Sequence, residues 1–289
     1  MIRSRKVVGK LLLAFLLPGA AVMWAYARQK AAPERVGRDL CLECHDDLPS
    51  VFFRSAHGKT ECEDCHTPGS EHIDAGGDLT LSFDAQPPAW GLFRCLSCHR
   101  AQDEFAHFVQ SAHGGNGVAC ISCHRIHAEK PSLRLLKSEE NPLCASCHLD
   151  IMASFRKPFH HPVLEDAMRC VDCHNPHSES RRPLLRLEVG TEQVCVSCHS
   201  DKNGPFIFEH APLQITGCQR CHQPHGSINP KMLRRTQVSQ LCLECHSRTP
   251  GVLTAQPFAF HDQRSPRFRN CTVCHREIHG SNVSSKFFR

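Results

Sequence analysis

Each of the twenty cysteines in this 289-residue chain falls in a C-x-x-C pair, and each pair is followed at once by a histidine. The first five sets are Cys41, Cys44 and His45 (CLECH); Cys62, Cys65 and His66 (CEDCH); Cys95, Cys98 and His99 (CLSCH); Cys120, Cys123 and His124 (CISCH); Cys144, Cys147 and His148 (CASCH). The other five are Cys170, Cys173 and His174 (CVDCH); Cys195, Cys198 and His199 (CVSCH); Cys218, Cys221 and His222 (CQRCH); Cys242, Cys245 and His246 (CLECH); Cys271, Cys274 and His275 (CTVCH). So many cysteines would first suggest a disulfide framework. The spacing removes that reading, because no cysteine is left over for a bridge.

Two thiols two residues apart can each form a thioether with one vinyl group of a haem, and the next residue then lies under the iron, where an imidazole can bind. One such motif is weak, since zinc ribbons and thioredoxin-like sites also use C-x-x-C. The rival arrangement is five zinc sites of two pairs each, and it gives no reason for a histidine after every pair. At this chain's own histidine frequency, ten chance successes have a probability on the order of 10⁻¹¹. The motifs therefore predict ten covalently attached haems c.

The N-terminus reads as an export signal. Arg3, Arg5, Lys6 and Lys10 precede a mostly apolar run from Leu11 to Ala27, broken by Pro18, and Ala25-Tyr26-Ala27 fits a small-x-small cleavage site. Residues 1–27 are expected as a signal peptide, with an uncleaved anchor as the alternative. Either way the rest of the chain is exported, as haem attachment outside the cytoplasm requires. The formal charge of +5 owes four positive charges to this leader, leaving 30 basic against 29 acidic side chains. Two propionates per haem would make the loaded protein acidic, so the nominal basicity does not indicate nucleic-acid binding.

The motifs come in pairs. Odd-numbered motifs begin at Cys41, Cys95, Cys144, Cys195 and Cys242, at intervals of 54, 49, 51 and 47 residues. Each unit carries a lone histidine shortly before its second motif and another just after it. The lone ones are His57 and His113 (both in SAHG), His160 or His161 (FHHP), His210 (FEHAP) and His261 (AFHD). The trailing ones are His72, His127 (CHRIH), His177 (CHNPH), His225 (CHQPH) and His279. Five copies of a unit of roughly 50 residues form an array, and arrays are extended. The expected fold is a multihaem cytochrome c: elongated, mostly irregular with short α-helices, with little or no β, and built as five two-haem repeats. Helical turns are expected around Gln193–His199 and Ser239–His246. Haem faces, helped by Phe52, Phe53, Phe105, Phe155, Phe206 and Phe258, would supply the buried apolar surface. The expected boundaries are a linker over 28–40, a decahaem domain over 41–280 and a C-terminal tail over 281–289.

The ten motif histidines are expected as proximal iron ligands. Of the other twelve, the repeat accounts for ten as distal ligands, with His107 and one of His160 and His161 to spare. Methionine is the usual alternative ligand, but only Met152, Met168 and Met232 lie beyond the leader. The irons should be bis-histidine, low-spin and low in potential, with no open position for a substrate. In CHRIH, CHNPH and CHQPH the trailing histidine follows the proximal one by three residues, so on a helical turn both rings point from one side. His127, His177 and His225 are thus expected to ligate a neighbouring haem, the first of the same unit, with the lone histidine serving the second.

The stretches GSEHIDAGGDL (69–79), HPVLEDAMRCVDCHNPH (161–177), GPFIFEHAP (204–212) and CHQPHGSINPKML (221–233) resemble the periplasmic decahaem cytochromes of the DmsE/MtrA/PioA type. The resemblance runs from about Asp39 to His279. It implies an elongated haem wire in the periplasm, associated with the outer membrane. A β-barrel porin would be its partner, with periplasmic and extracellular redox partners, cytochromes or a reductase, at either end. It also implies His57, His72, His113, His127, His161, His177, His210, His225, His261 and His279 as the distal ligands, with His161 preferred because the family phrase reads H-P-V. His72 and His279 trail their motif histidines by six and four residues rather than three. A conduit without substrate chemistry is the leading expectation. Against it stand a multihaem oxidoreductase acting on nitrite, hydroxylamine or a sulfur compound, which would need a haem with a vacant face, and a soluble periplasmic electron store.

Overall fold

A computed structural model describes residues 32–78, 82–83, 86–102, 105, 108–130, 133–177, 192–247, 261–262 and 265–289. The expected leader, His107 and Phe258 lie outside the described residues. No described helix is long and apolar enough to cross a membrane.

The chain folds as a multihaem cytochrome c of short helices and irregular connections, and no strand occurs among the described residues. Odd and even motifs sit on different local structures. Odd motifs ride on helices, among them Pro88–His99, Glu192–Val196 and Val238–His246. The last two match the expected turns. Pro88–His99 opens with a proline at a position whose N–H has no helical partner in any case, and it buries Leu92 and Leu96 on one face against Phe108.

Even motifs occupy single turns. Cys62–Cys65, Cys120–Cys123 and Cys170–Cys173 are four-residue helices, and Cys218–Arg220 and Cys271–Val273 are 3₁₀ turns. In the helical three the chain leaves the turn extended at the motif histidine, with φ/ψ of −85/168 at His66, −106/147 at His124 and −110/146 at His174. Pro68 and Pro176 push the residue after the histidine, Thr67 or Asn175, out of the helical region, so the helix cannot resume there. Two of these turns are also capped from within: Asp64 and Asp172 reach back to accept the N–H of Glu61 and Arg169.

Units touch their neighbours in sequence. Phe159 bridges Ser227 and Phe208 bridges Ser281, each pair joining one unit to the next, and Ser227 and Ser281 are buried. Described residues within the expected linker and tail contact this body. Val36 and Gly37 donate their N–H groups to the buried Glu63 carboxylate, and Glu34 exchanges hydrogen bonds with Ser70. At the other end, Phe287 packs on His210 and Phe288 on His275.

Candidate haem-binding sites

The SAHG segments show how the local sequence builds a ligand position. Ser55 and Ser111 accept the N–H of Gly58 and Gly114 through their hydroxyls, which closes a turn that presents His57 and His113. A Cβ on either glycine would lie 2.2 Å from a backbone carbonyl, that of Phe52 or Phe108. Only glycine allows this approach. The phenylalanine of each segment then packs on the trailing histidine of the following unit: Phe52 on His127 at 4.7 Å between ring centroids, Phe108 on His177 at 6.2 Å. Phe155 repeats the arrangement on His225 at 5.4 Å, and Phe206 packs against Gly280, next to His279.

These supports bring every motif histidine face to face with one non-motif histidine. The ring centroids are 6.1 Å apart for His45 and His72, 6.0 Å for His66 and His127, 6.0 Å for His99 and His57, 6.0 Å for His124 and His177, and 6.1 Å for His148 and His113. They are 6.0 Å apart for His174 and His225, 6.2 Å for His199 and His161, 6.3 Å for His222 and His279, 6.3 Å for His246 and His210, and 6.2 Å for His275 and His261. Two imidazoles on opposite sides of one ion, each with a metal–nitrogen bond of about 2 Å, hold their centroids about 6 Å apart. The donor set thus fits an iron between each pair. Zinc fits poorly: no described group of three or more His, Cys, Asp and Glu side chains converges on a point.

The non-motif partners are the ten expected from the sequence, but their allocation differs. Of the trailing histidines only His72 faces the first motif of its own unit, as expected. His127, His177, His225 and His279 each face the second motif histidine of the unit before, and His57, His113, His161 and His210 face the first of the unit after. After His124 and His174 an extended exit carries the trailing histidine, His127 or His177, away from its own unit. Only the ends keep a pair within one unit, His45 with His72 and His275 with His261.

His160 takes no part. Its Nε2 hydrogen-bonds Glu165 at 3.0 Å and its Nδ1 bonds the Lys157 carbonyl. Adjacent His161 faces His199 and donates from Nδ1 to the Pro224 carbonyl at 2.7 Å.

All twenty cysteines and all twenty paired histidines line one continuous channel of about 5870 Å³. Divided by ten this is roughly 590 Å³ per motif, within the range of small-molecule sites. Consecutive motifs meet along it. The Cys41 thiol hydrogen-bonds that of Cys62, and Cys95 with Cys120, Cys144 with Cys170 and Cys242 with Cys271 do the same. Between units it is the second thiols that come within electrostatic range: Cys65 and Cys98, Cys123 and Cys147, Cys173 and Cys198, Cys221 and Cys245. None of the cysteines forms a disulfide.

Burial lowers the pKa of His57, His127 and His225, and the facing motif histidine adds to the effect in each. Burial likewise lowers His210 and His279. The neutral imidazole that results is the form able to bind a metal. Nδ1 contacts with backbone carbonyls, as at His124, His161 and His222, orient Nε2 toward the facing ring.

Sequence reasoning missed a set of loops that fold back on the even motifs. Arg125 N–H bonds the Leu135 carbonyl and Lys137 N–H that of Cys123; Gln223 and Arg234 make the equivalent bonds to Met232 and Cys221. The signal was present as a basic residue followed by two apolar ones after the motif: Arg134-Leu135-Leu136, Lys231-Met232-Leu233 and Lys286-Phe287-Phe288.

Comparison with known proteins agrees with this geometry. The doubled CXXCH motif family matches residues 111–153, 160–204 and 210–251. The multiheme cytochrome MtrA of Shewanella baltica is 34% identical over 270 residues, covering 86% of this chain and 80% of that protein. The cytochrome c-type protein NrfB of Escherichia coli is 30% identical over 137 residues, covering 42% of this chain and 72% of NrfB. The high-molecular-weight cytochrome c of Nitratidesulfovibrio vulgaris is 23% identical over 317 residues, covering 91% of this chain and 55% of that protein. With covalently bound haem c implied by its motifs and electron transfer by its relatives, this chain belongs to the MtrA family of multihaem c-type cytochromes.

Proposed function

We propose that the chain carries ten haems c, each between one motif and one non-motif histidine, and moves electrons along them between the periplasm and the outer membrane or cell exterior. A β-barrel porin is the partner this reading requires, with redox proteins at either end. The observation that carries it is the set of ten facing histidine pairs, spaced 6.0–6.3 Å and strung along one channel. Haem c, when bound, supplies reversible one-electron exchange at its iron.

The protein's own groups do the rest. The cysteine thiols would anchor each porphyrin and the two facing imidazoles would hold its iron, an arrangement that suits electron transfer better than substrate binding. Phe52, Phe105, Phe108 and Phe155 pack on the ligand rings and keep water from them. Because units exchange ligands, each site is coupled mechanically to the next. Such an array suits a carrier rather than an enzyme.

The test is purification from envelopes of the native host, followed by insertion into liposomes loaded with an oxidised dye. Co-purification with a β-barrel protein and reduction of the enclosed dye by an external donor are expected. No co-purifying barrel and no reduction of the enclosed dye would reduce the reading to a soluble store, and rapid turnover of nitrite or hydroxylamine would replace it with an oxidoreductase.

A further inference from the structure

The histidine that is anchored through its second ring nitrogen changes from site to site. At three even motifs it is the motif histidine: Nδ1 of His124, His222 and His275 contacts the carbonyls of Arg134 (2.8 Å), Lys231 (2.7 Å) and Lys286 (2.5 Å). At three odd motifs it is the lone partner. His113 Nδ1 contacts the Pro176 carbonyl at 3.1 Å, His161 that of Pro224 at 2.7 Å, and His210 bonds the Ile278 backbone. These last three acceptors each immediately precede a trailing histidine.

The carbonyls of Arg134 and Lys231 come from strained backbone, and that of Lys286 immediately precedes it. Arg134 and Leu135 have φ of 59 and 58, Lys231 and Met232 of 56 and 55, and Phe287 of 57. A left-handed non-glycine residue costs roughly 1–2 kcal/mol, and two in succession persist only where surrounding structure dictates them. Here the ladder bonds on either side do so.

We propose that these left-handed loops are positioning devices for the axial ligands. Each holds a carbonyl on the Nδ1–H of the motif histidine, leaving Nε2 to bind iron and making that imidazole the stronger donor. At these six sites one imidazole is anchored to a backbone carbonyl, on the motif side at the three even ones and on the lone-histidine side at the three odd ones. A stronger donor favours ferric iron, so losing the anchor raises the potential of that haem. The proposal rests on the haem reading above.

The test compares Lys231→Pro with Lys231→Gly in the full haem-loaded protein. Proline is held near φ −65 and cannot adopt the left-handed turn, whereas glycine adopts it freely. The expected result is an unchanged haem count in both, with an upward shift of one potential and an altered low-spin EPR signal in Lys231→Pro alone. Wild-type potentials and EPR in Lys231→Pro would overturn the proposal, as would equal changes in both variants, which would implicate the lysine side chain. Should Lys231→Pro fail to assemble, Arg134→Pro and Arg134→Gly apply the same test at the preceding loop. A wild-type protein lacking haems at these motifs would instead remove the underlying reading, an outcome distinguishable by mass before any potential is measured.

Discussion

The middle of the molecule and its two ends solve the same problem differently. In the middle, each non-motif histidine crosses to an adjacent unit, so no unit can complete its sites alone. At the ends a neighbour is missing, and the histidine that would have crossed turns back: His72 onto His45, His261 onto His275. End units of repeat arrays are generally atypical because one face has no partner. Here the departure also explains one irregular spacing, since His72 must reach within its own unit from six residues beyond His66.

The sharpest break in this comparison is His177→Ala. It should leave every haem attached but turn one high-spin, the one at Cys120 and Cys123, since His177 faces His124. It should also loosen the contact between the second and third units, where Phe105 and Phe108 lose their packing partner. EPR and limited proteolysis read the two effects, and a high-spin haem at Cys144 and Cys147 would restore the allocation within a unit. His72→Ala, the end counterpart, should turn the haem at Cys41 and Cys44 high-spin and leave contacts between units protected from proteolysis. Equal loosening in both variants would erase the distinction between ends and middle.

How far the sequence could be read follows from where its signals were local. Motif cysteines and histidines are defined by spacing alone, and the periodicity of SAHG, FHHP and FEHAP picks out the partners. His161 was separable from His160 only by a family phrase; the structure adds that the Lys157 carbonyl and Glu165 hold His160 aside. Allocation of His127 and His177 could not be read, because it depends on whether the chain stays helical beyond His124 and His174. The helical argument for His177 reached a right conclusion, that it serves another site, by a path the backbone does not take. The loops after the even motifs were hidden because a left-handed Arg134 or Lys231 has no glycine to announce it.

Smaller effects test the supports. Gly114→Ala should cost about 1–3 kcal/mol by forcing the turn away from the Phe108 carbonyl. Gly115→Ala next to it, with open space around its Cβ position, should be close to neutral in thermal unfolding. At the N-terminal end, burial would raise the pKa of Glu63, but the N–H groups of Gly69, Gly37 and Val36, with Arg35, lower it overall. A carboxyl held below its usual value contributes stability that is fully present above the unfolded pKa of 4.5 and lost as pH falls through the folded value. Glu63→Gln should therefore destabilise by about 1–3 kcal/mol near neutral pH, with little difference in acid. Faster hydrogen exchange at Val36 and Gly37 would locate the effect, and unchanged exchange would sink it. His160→Ala should be the mildest, with spin states unaltered beside a His161→Ala variant that turns one haem high-spin.

The central claim is that every iron lies between one motif and one non-motif imidazole. Intact mass of the purified ferric protein, taken together with its EPR spectrum, tests this most directly. The account predicts the processed polypeptide plus ten haems, all low-spin with two imidazole ligands. Fewer haems, or a high-spin signal near one haem per chain, would contradict it.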